Sequence, residues 1–153
     1  MPIEIERKFL VKHSDFLKEL TGLTAKQGNL APGPPASVRV RIMGDTARLN
    51  IKEFKSGSRR QEFEYPIPIH EAEALLTLCN NQVVEKQRYT LQHGSHQWEV
   101  DVFEGANAGL ILAEIELTQE DEHFENPEWL GEEVTDDTRY YNVCLAEHPY
   151  TQW

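Results

Sequence analysis

Apolar and polar residues alternate along most of the chain, the period-2 pattern of strands that bury one face. In residues 3–11, Ile3, Ile5 and Phe9 share one side, and Glu4, Glu6 and Lys8 share the other. The same reading places strands near 24–30, 37–43, 46–54, 60–69, 83–92, 96–104 and 111–119, mostly antiparallel. Gly44-Asp45 and His93-Gly94-Ser95 supply hairpin turns. Ala31-Pro-Gly-Pro-Pro-Ala36 breaks the pattern, but strands flank it, so it reads as a loop inside one domain spanning 1–153. Three stretches read as helical: Asp15–Leu20 capped by Ser14, His70–Cys79, and a segment from a Thr135 cap through Asp136 and Asp137 to about Ala146. Pro127-Glu-Trp-Leu130 reads as a turn entering a short helical piece, and Trp129 and Trp153 as packing or tail residues.

The polar faces are almost all charge, and the signs are segregated by strand. Arg39 and Arg41 oppose Val38, Val40 and Ile42; Arg48, Asn50 and Lys52 oppose Leu49 and Ile51; Lys86 and Arg88 share a side with Val84. Glu62 and Glu64 oppose Phe63, Tyr65 and Ile67; Glu99 and Asp101 oppose Trp98, Val100 and Val102; Glu114 and Glu116 oppose Ile111, Ala113, Ile115 and Leu117. Any one such pair is the solvated face of an ordinary antiparallel sheet. Repeated over seven strands, like charges side by side are destabilising, and they point to a site for something both anionic and metal-bound. A small ligand-carrying barrel would leave the bases outside with no task. A membrane barrel does not suit interleaved helices. The third choice is an α+β fold: an eight-stranded antiparallel β-barrel with charges inside and its apolar wall covered by a few helices.

Composition narrows the setting. The chain has 153 residues, with 15 Lys+Arg against 26 Asp+Glu and a formal net charge of −11. That balance argues against sequence-independent nucleic-acid binding, so no nucleic-acid partner is expected. No run of about 18 apolar residues exists, and MPIEIERKFLV lacks an apolar core, so neither a membrane span nor a secretory signal is expected. Cys79 and Cys144 read as small buried hydrophobes in a reducing cytoplasm. Ser14, Ser37 and Ser56 lack any nucleophile-elbow or P-loop setting. His93 and His96, Glu71 and Glu73, and Glu120 to Glu122 read as surface or loop charge. A monomer or a homodimer is expected.

Ordered motifs carry a resemblance. Glu4-Ile-Glu-Arg-Lys8 is followed by Val38-Arg-Val-Arg-Ile42, Leu49-Asn-Ile-Lys52, Gln61-Glu-Phe-Glu64, Glu85-Lys-Gln-Arg-Tyr89, Glu99-Val-Asp101 and Ala113-Glu-Ile-Glu116. This set resembles the CYTH domain, the triphosphate tunnel metalloenzymes, over nearly the whole chain. The resemblance implies a tunnel of eight antiparallel strands that binds a small-molecule triphosphate with Mg²⁺ or Mn²⁺. Its implied activity is hydrolysis of inorganic triphosphate, as in small bacterial members. Adenylate cyclase, thiamine or nucleoside triphosphatase, and a non-catalytic polyphosphate-binding module are the alternatives. Arg139-Tyr-Tyr-Asn142 resembles the start of the C-terminal helix that plugs one tunnel end.

The resemblance also assigns roles. Glu4, Glu6, Asp101, Glu114 and Glu116 go to the metal, and Lys8, Arg39, Arg41, Lys52, Lys86, Arg88 and Arg139 to the substrate. For Arg139, a surface ion pair is the other option. Glu4, Glu6 and Lys52 are the catalytic set, with Lys52 resembling the lysine that protonates the leaving oxygen. Glu62, Glu64 and Glu99 are ligands, second-layer groups or partners of the bases. The charge logic agrees: Arg and Lys neutralise phosphoryl oxygens, and hard divalent cations take carboxylate and phosphate oxygens together. One departure stands out. Small bacterial members often carry Gln-Gly-Tyr-Leu on the second strand, whereas this chain has Gln27-Gly-Asn-Leu30, placing an amide where those have a phenol.

Overall fold

The alternation closes into a barrel. The computed structural model describes residues 3–31, 33–79 and 83–153; Met1, Pro2, Pro32, Asn80, Asn81 and Gln82 lie outside it. The strands are β1 (Ile3–Val11), β2 (Leu23–Ala31), β3 (Ala36–Met43), β4 (Thr46–Glu53), β5 (Arg59–Ile67), β6 (Val84–His93), β7 (His96–Phe103), β8 (Ile111–Glu116) and β9 (Leu130–Glu133). Their order is β5-β4-β3-β2-β6-β7-β8-β1-β9, and β1 also pairs with β5, so eight antiparallel strands form a closed ring.

β1 closes the ring by dividing its partners. Ile3 to Ile5 pair with Gln61 to Arg59, while Glu6 to Leu10 pair with Glu116 to Leu112. β9 then covers the later part of β1, with Phe9 opposite Glu133 and Val11 opposite Leu130. Sequence reasoning expects a helical piece after Pro127. Instead Leu130 N–H bonds Pro127 O in a turn, and the chain continues as a strand because β1 offers it unpaired backbone groups.

The apolar wall faces outward and is covered in two places. Ile5, Phe9, Trp98, Val100, Ala113 and Ile115 pack with Leu17, Trp129 and Leu130. Trp129 is thus a core residue, as the packing alternative holds. The helix α1 (Ile69–Leu76) sets Ala72, Leu75 and Leu76 against Val40, Ile42 and Ala47. It begins one residue earlier and stops three residues sooner than the periodicity suggests. At one end of the barrel the lining itself turns apolar: Val84, Phe103 and Leu112 meet Leu145 and Ala146 of α2 (Asn142–Glu147), with Val134 and Tyr140. This apolar plug closes that end.

Two helix starts differ from expectation. Asp15–Leu17 is a single 3₁₀ turn, and the Ser14 side chain makes no cap bond. The C-terminal segment begins with a 3₁₀ turn at Thr138–Tyr140, capped by Asp137 accepting from the Arg139 N–H. Thr135 does not cap it, because its hydroxyl accepts from the Lys8 backbone N–H at 3.0 Å and donates to Glu133 at 2.6 Å.

Candidate functional site

With the apolar residues turned out, the charged faces line the interior. Lys52 is one centre: its Nζ lies 3.1 Å from Glu4 Oε1, 3.6 Å from Glu62 Oε2 and 4.0 Å from Glu6 Oε1. Burial opposes the Lys52 charge, but Glu6 and Glu4 outweigh it, and its pKa rises. Lys8 Nζ lies 3.9 Å from Glu114 and donates to Tyr140 O at 3.4 Å. Arg41 is 4.0 Å and Arg48 3.8 Å from Glu64. Burial and the neighbouring Arg39 and Arg88 lower the Arg41 pKa, so this cation is held against other cations. An anion would relieve that crowding.

The carboxylates are crowded too. Burial and then the charge of Glu114 push Glu6 well above the usual carboxylate range. Glu114 goes well below it: burial is overcome by Lys8, by its hydrogen bond with Glu6, and by Arg88 and Lys86. Glu4 is raised by burial against the pull of Lys52, and its Oε1 is buried without a well-formed hydrogen bond. Glu116 is raised by burial and by the charges of Glu4, Glu62 and Glu64, with which it lines one tunnel mouth. Hard oxygens packed this closely suit a hard divalent cation. Among the described residues no three of them form a ready-made cage.

Asp101 sits among the bases. It takes Arg88 through two bonds, Nε at 2.8 Å and Nη2 at 2.9 Å, and Lys86 Nζ lies 2.7 Å away. Burial opposes its charge, but Lys86 and Arg88 prevail and hold its pKa low. Both of its oxygens meet cations, so Asp101 anchors the two bases. Burial outweighs that pairing at Lys86, whose pKa falls to about 8. Arg88 also reaches Glu99 at 3.2 Å, which makes Glu99 a partner of the bases.

The structure therefore gathers Glu4, Glu6, Lys8, Arg39, Arg41, Lys52, Lys86, Arg88, Asp101, Glu114 and Glu116 around one tunnel. Arg139 is not with them. Its guanidinium pairs with Asp137 at 2.7 Å and lies 4.9 Å from the Trp153 ring, outside the barrel. The surface ion pair is its observed state.

Sequence reasoning missed Arg60 and Tyr141. Arg60 is buried, donates to Gly57 O at 2.8 Å and sits 5.0 Å from the Tyr141 ring, which Lys8 Nζ also approaches at 5.4 Å. Arg60 has the same strand parity as Glu62 and Glu64, a signal available from spacing alone. Tyr141 carries none, since it enters from the segment that leads into the plug. Gln27 and Asn29 are buried on β2, where Asn29 pairs with Arg39 and Gln27 with Arg41 across the ladder.

Comparison with known proteins agrees with this arrangement. The CYTH domain model matches residues 2–144. An inorganic triphosphatase of Acetivibrio thermocellus is 43% identical over 148 residues, 96% of this chain and 95% of that protein. An inorganic triphosphatase of Nitrosomonas europaea is 39% identical over 148 residues, 94% of this chain and 96% of that protein. A solved inorganic triphosphatase superposes with a TM-score of 0.66 at 37% identity, covering 94% of this chain and 93% of that one. A solved Pyrococcus horikoshii protein shares the fold at 22% identity, with a TM-score of 0.57 over 82% of this chain and 81% of that one. Triphosphatases of this family are metal-dependent as a class. Barrel, charged lining and motif order converge on one conclusion: the chain belongs to the CYTH domain family.

Proposed function

We propose that this chain hydrolyses inorganic triphosphate inside the tunnel with a bound divalent cation, Mg²⁺ or Mn²⁺. The observation that carries the reading is the enclosed, sign-segregated lining, in which Arg39, Arg41, Lys8 and Lys52 face the same interior as Glu4, Glu6 and Glu114. The two curated relatives, both named inorganic triphosphatase, support it. Glu4, Glu6, Glu114 and Glu116 would hold the cation, which when bound supplies positive charge to phosphoryl oxygens. Arg39 and Arg41 neutralise the polyanion, and Lys8 adds a point charge near the plugged end. Lys52 keeps its proton beside Glu4 and Glu6 and is placed to give it to a leaving oxygen. Phosphoryl transfer asks for positioning and charge stabilisation more than covalent help, which suits a rigid charged barrel. The two cysteines are free, which suits the reducing cytoplasm as its location.

The test is phosphate release from tripolyphosphate with Mg²⁺ or Mn²⁺, alongside ATP and thiamine triphosphate. Glu4→Ala and Arg41→Ala should each lower turnover by roughly a hundredfold or more, as loss of a transition-state contact does. Equal release by wild type and both variants would overturn the assignment.

A further inference from the structure

Asn50 lies mid-strand on β4, on the tunnel face between Arg48 and Lys52. Its cross-strand neighbours are Arg39 on β3 and Glu64 on β5. The residue is 2% exposed, and neither Nδ2 nor Oδ1 has a hydrogen-bond partner. Arg39 Nε, on the paired residue, is buried and unpartnered as well. The flanking charges are engaged elsewhere: Lys52 with Glu4 and Glu62, and Arg48 with Glu64.

An amide buried with both ends unpaired is unfavourable for the free fold, and an apolar side chain of the same size would suit the position better. A group kept there at the expense of stability is explained by what it binds. Two neighbouring N–H donors, Nδ2 and Nε, match an oxygen-rich anion. No internal bond fixes the amide, so it can turn its N–H end to that anion. We infer that Asn50 is a substrate-binding residue: its Nδ2 donates, beside Arg39 Nε, to a phosphoryl oxygen of the triphosphate, and Oδ1 accepts from the polyanion's hydration water. The inference rests on the triphosphatase reading above. It adds a neutral, directional contact to a site otherwise built from full charges.

The experiment compares wild type, Asn50→Leu and Asn50→Asp, measuring Tm without ligand and kcat and KM for tripolyphosphate with Mg²⁺. Asn50→Leu removes the unpaired amide at similar volume, so its Tm should equal or exceed that of wild type. Its KM should rise about tenfold or more, the loss of a hydrogen bond to a charged group, with a smaller change in kcat. Asn50→Asp puts an anion against the substrate and should raise KM further; it carries the test if Asn50→Leu does not fold. A KM within twofold of wild type in a folded variant overturns the inference alone. A wild type that neither binds nor hydrolyses tripolyphosphate overturns the underlying reading and this inference with it.

Discussion

Lys86 Nζ stands 2.7 Å from Asp101 Oδ2, with side chains 0% and 1% exposed, and Arg88 holds the same carboxylate through two bonds. Breaking a buried ion pair from one side leaves an uncompensated charge, which costs about 3–5 kcal/mol. Asp101→Asn should therefore lower stability by about that amount in urea unfolding. Lys86→Met should cost less, because Arg88 still satisfies Asp101. Combining the two should recover part of the loss. An Asp101→Asn protein as stable as wild type would contradict the arrangement.

Gly28 faces α1 from β2. A Cβ there would lie 2.6 Å from Cys79 Sγ and 3.2 Å from Leu76 Cδ2. Gly28→Ala should destabilise the fold by about 1–3 kcal/mol through overpacking. Adding Cys79→Ala should return most of it, since the clash is with that sulfur. Denaturant titrations of the single and double variants provide the check.

Arg139 is held by Asp137 outside the barrel. Arg139→Ala should leave kcat/KM for tripolyphosphate within about threefold of wild type, as surface changes away from a site usually do. A hundredfold loss would bring this residue back to the substrate.

Glu122 fastens the segment after β8. Its Oε1 accepts from both the N–H and the hydroxyl of Thr118, each at 2.6 Å, and its other oxygen meets His96 Nε2. The Thr118 hydroxyl, His96 and the Thr118 N–H pull its pKa from 4.5 down to about 2. A lowered carboxylate pKa stabilises the fold above the unfolded value, and that contribution fades as pH falls towards the folded one. The Tm gap between wild type and Glu122→Gln should be full above about pH 4.5 and should narrow below it. A gap that stays constant to pH 3 would refute this.

The alternation was enough to read the barrel because the lining obeys strand parity. Ile5 and Phe9 go out while Glu4, Glu6 and Lys8 go in, and β3, β4, β7 and β8 repeat the rule. Parity says which way a side chain faces but not what it meets there. Arg88 sits directly opposite Asp101 in the β6–β7 ladder, and that register, invisible in the one-dimensional pattern, makes Asp101 a counterion to Arg88 and Lys86. β9 was illegible for another reason. Four residues carry little periodicity, and their state depends on unpaired backbone along β1. Arg139 lies at a boundary, where Asp137 rather than Thr135 starts the turn.

The division of β1 between β5 and β8 has a consequence for assembly. The first strand completes the ring only by finding Gln61 on one flank and Glu116 on the other, encounters between distant parts of the chain that are slow to form. Until then the sheet stays open, and its inner face shows solvent carboxylates, ammoniums and guanidiniums, content when wet. A barrel of equal topology filled with grease would present a sticky sheet through the same interval, the state from which aggregation proceeds. The lining that meets a polyanion in the finished molecule leaves the inner face of the unfinished one hydrated.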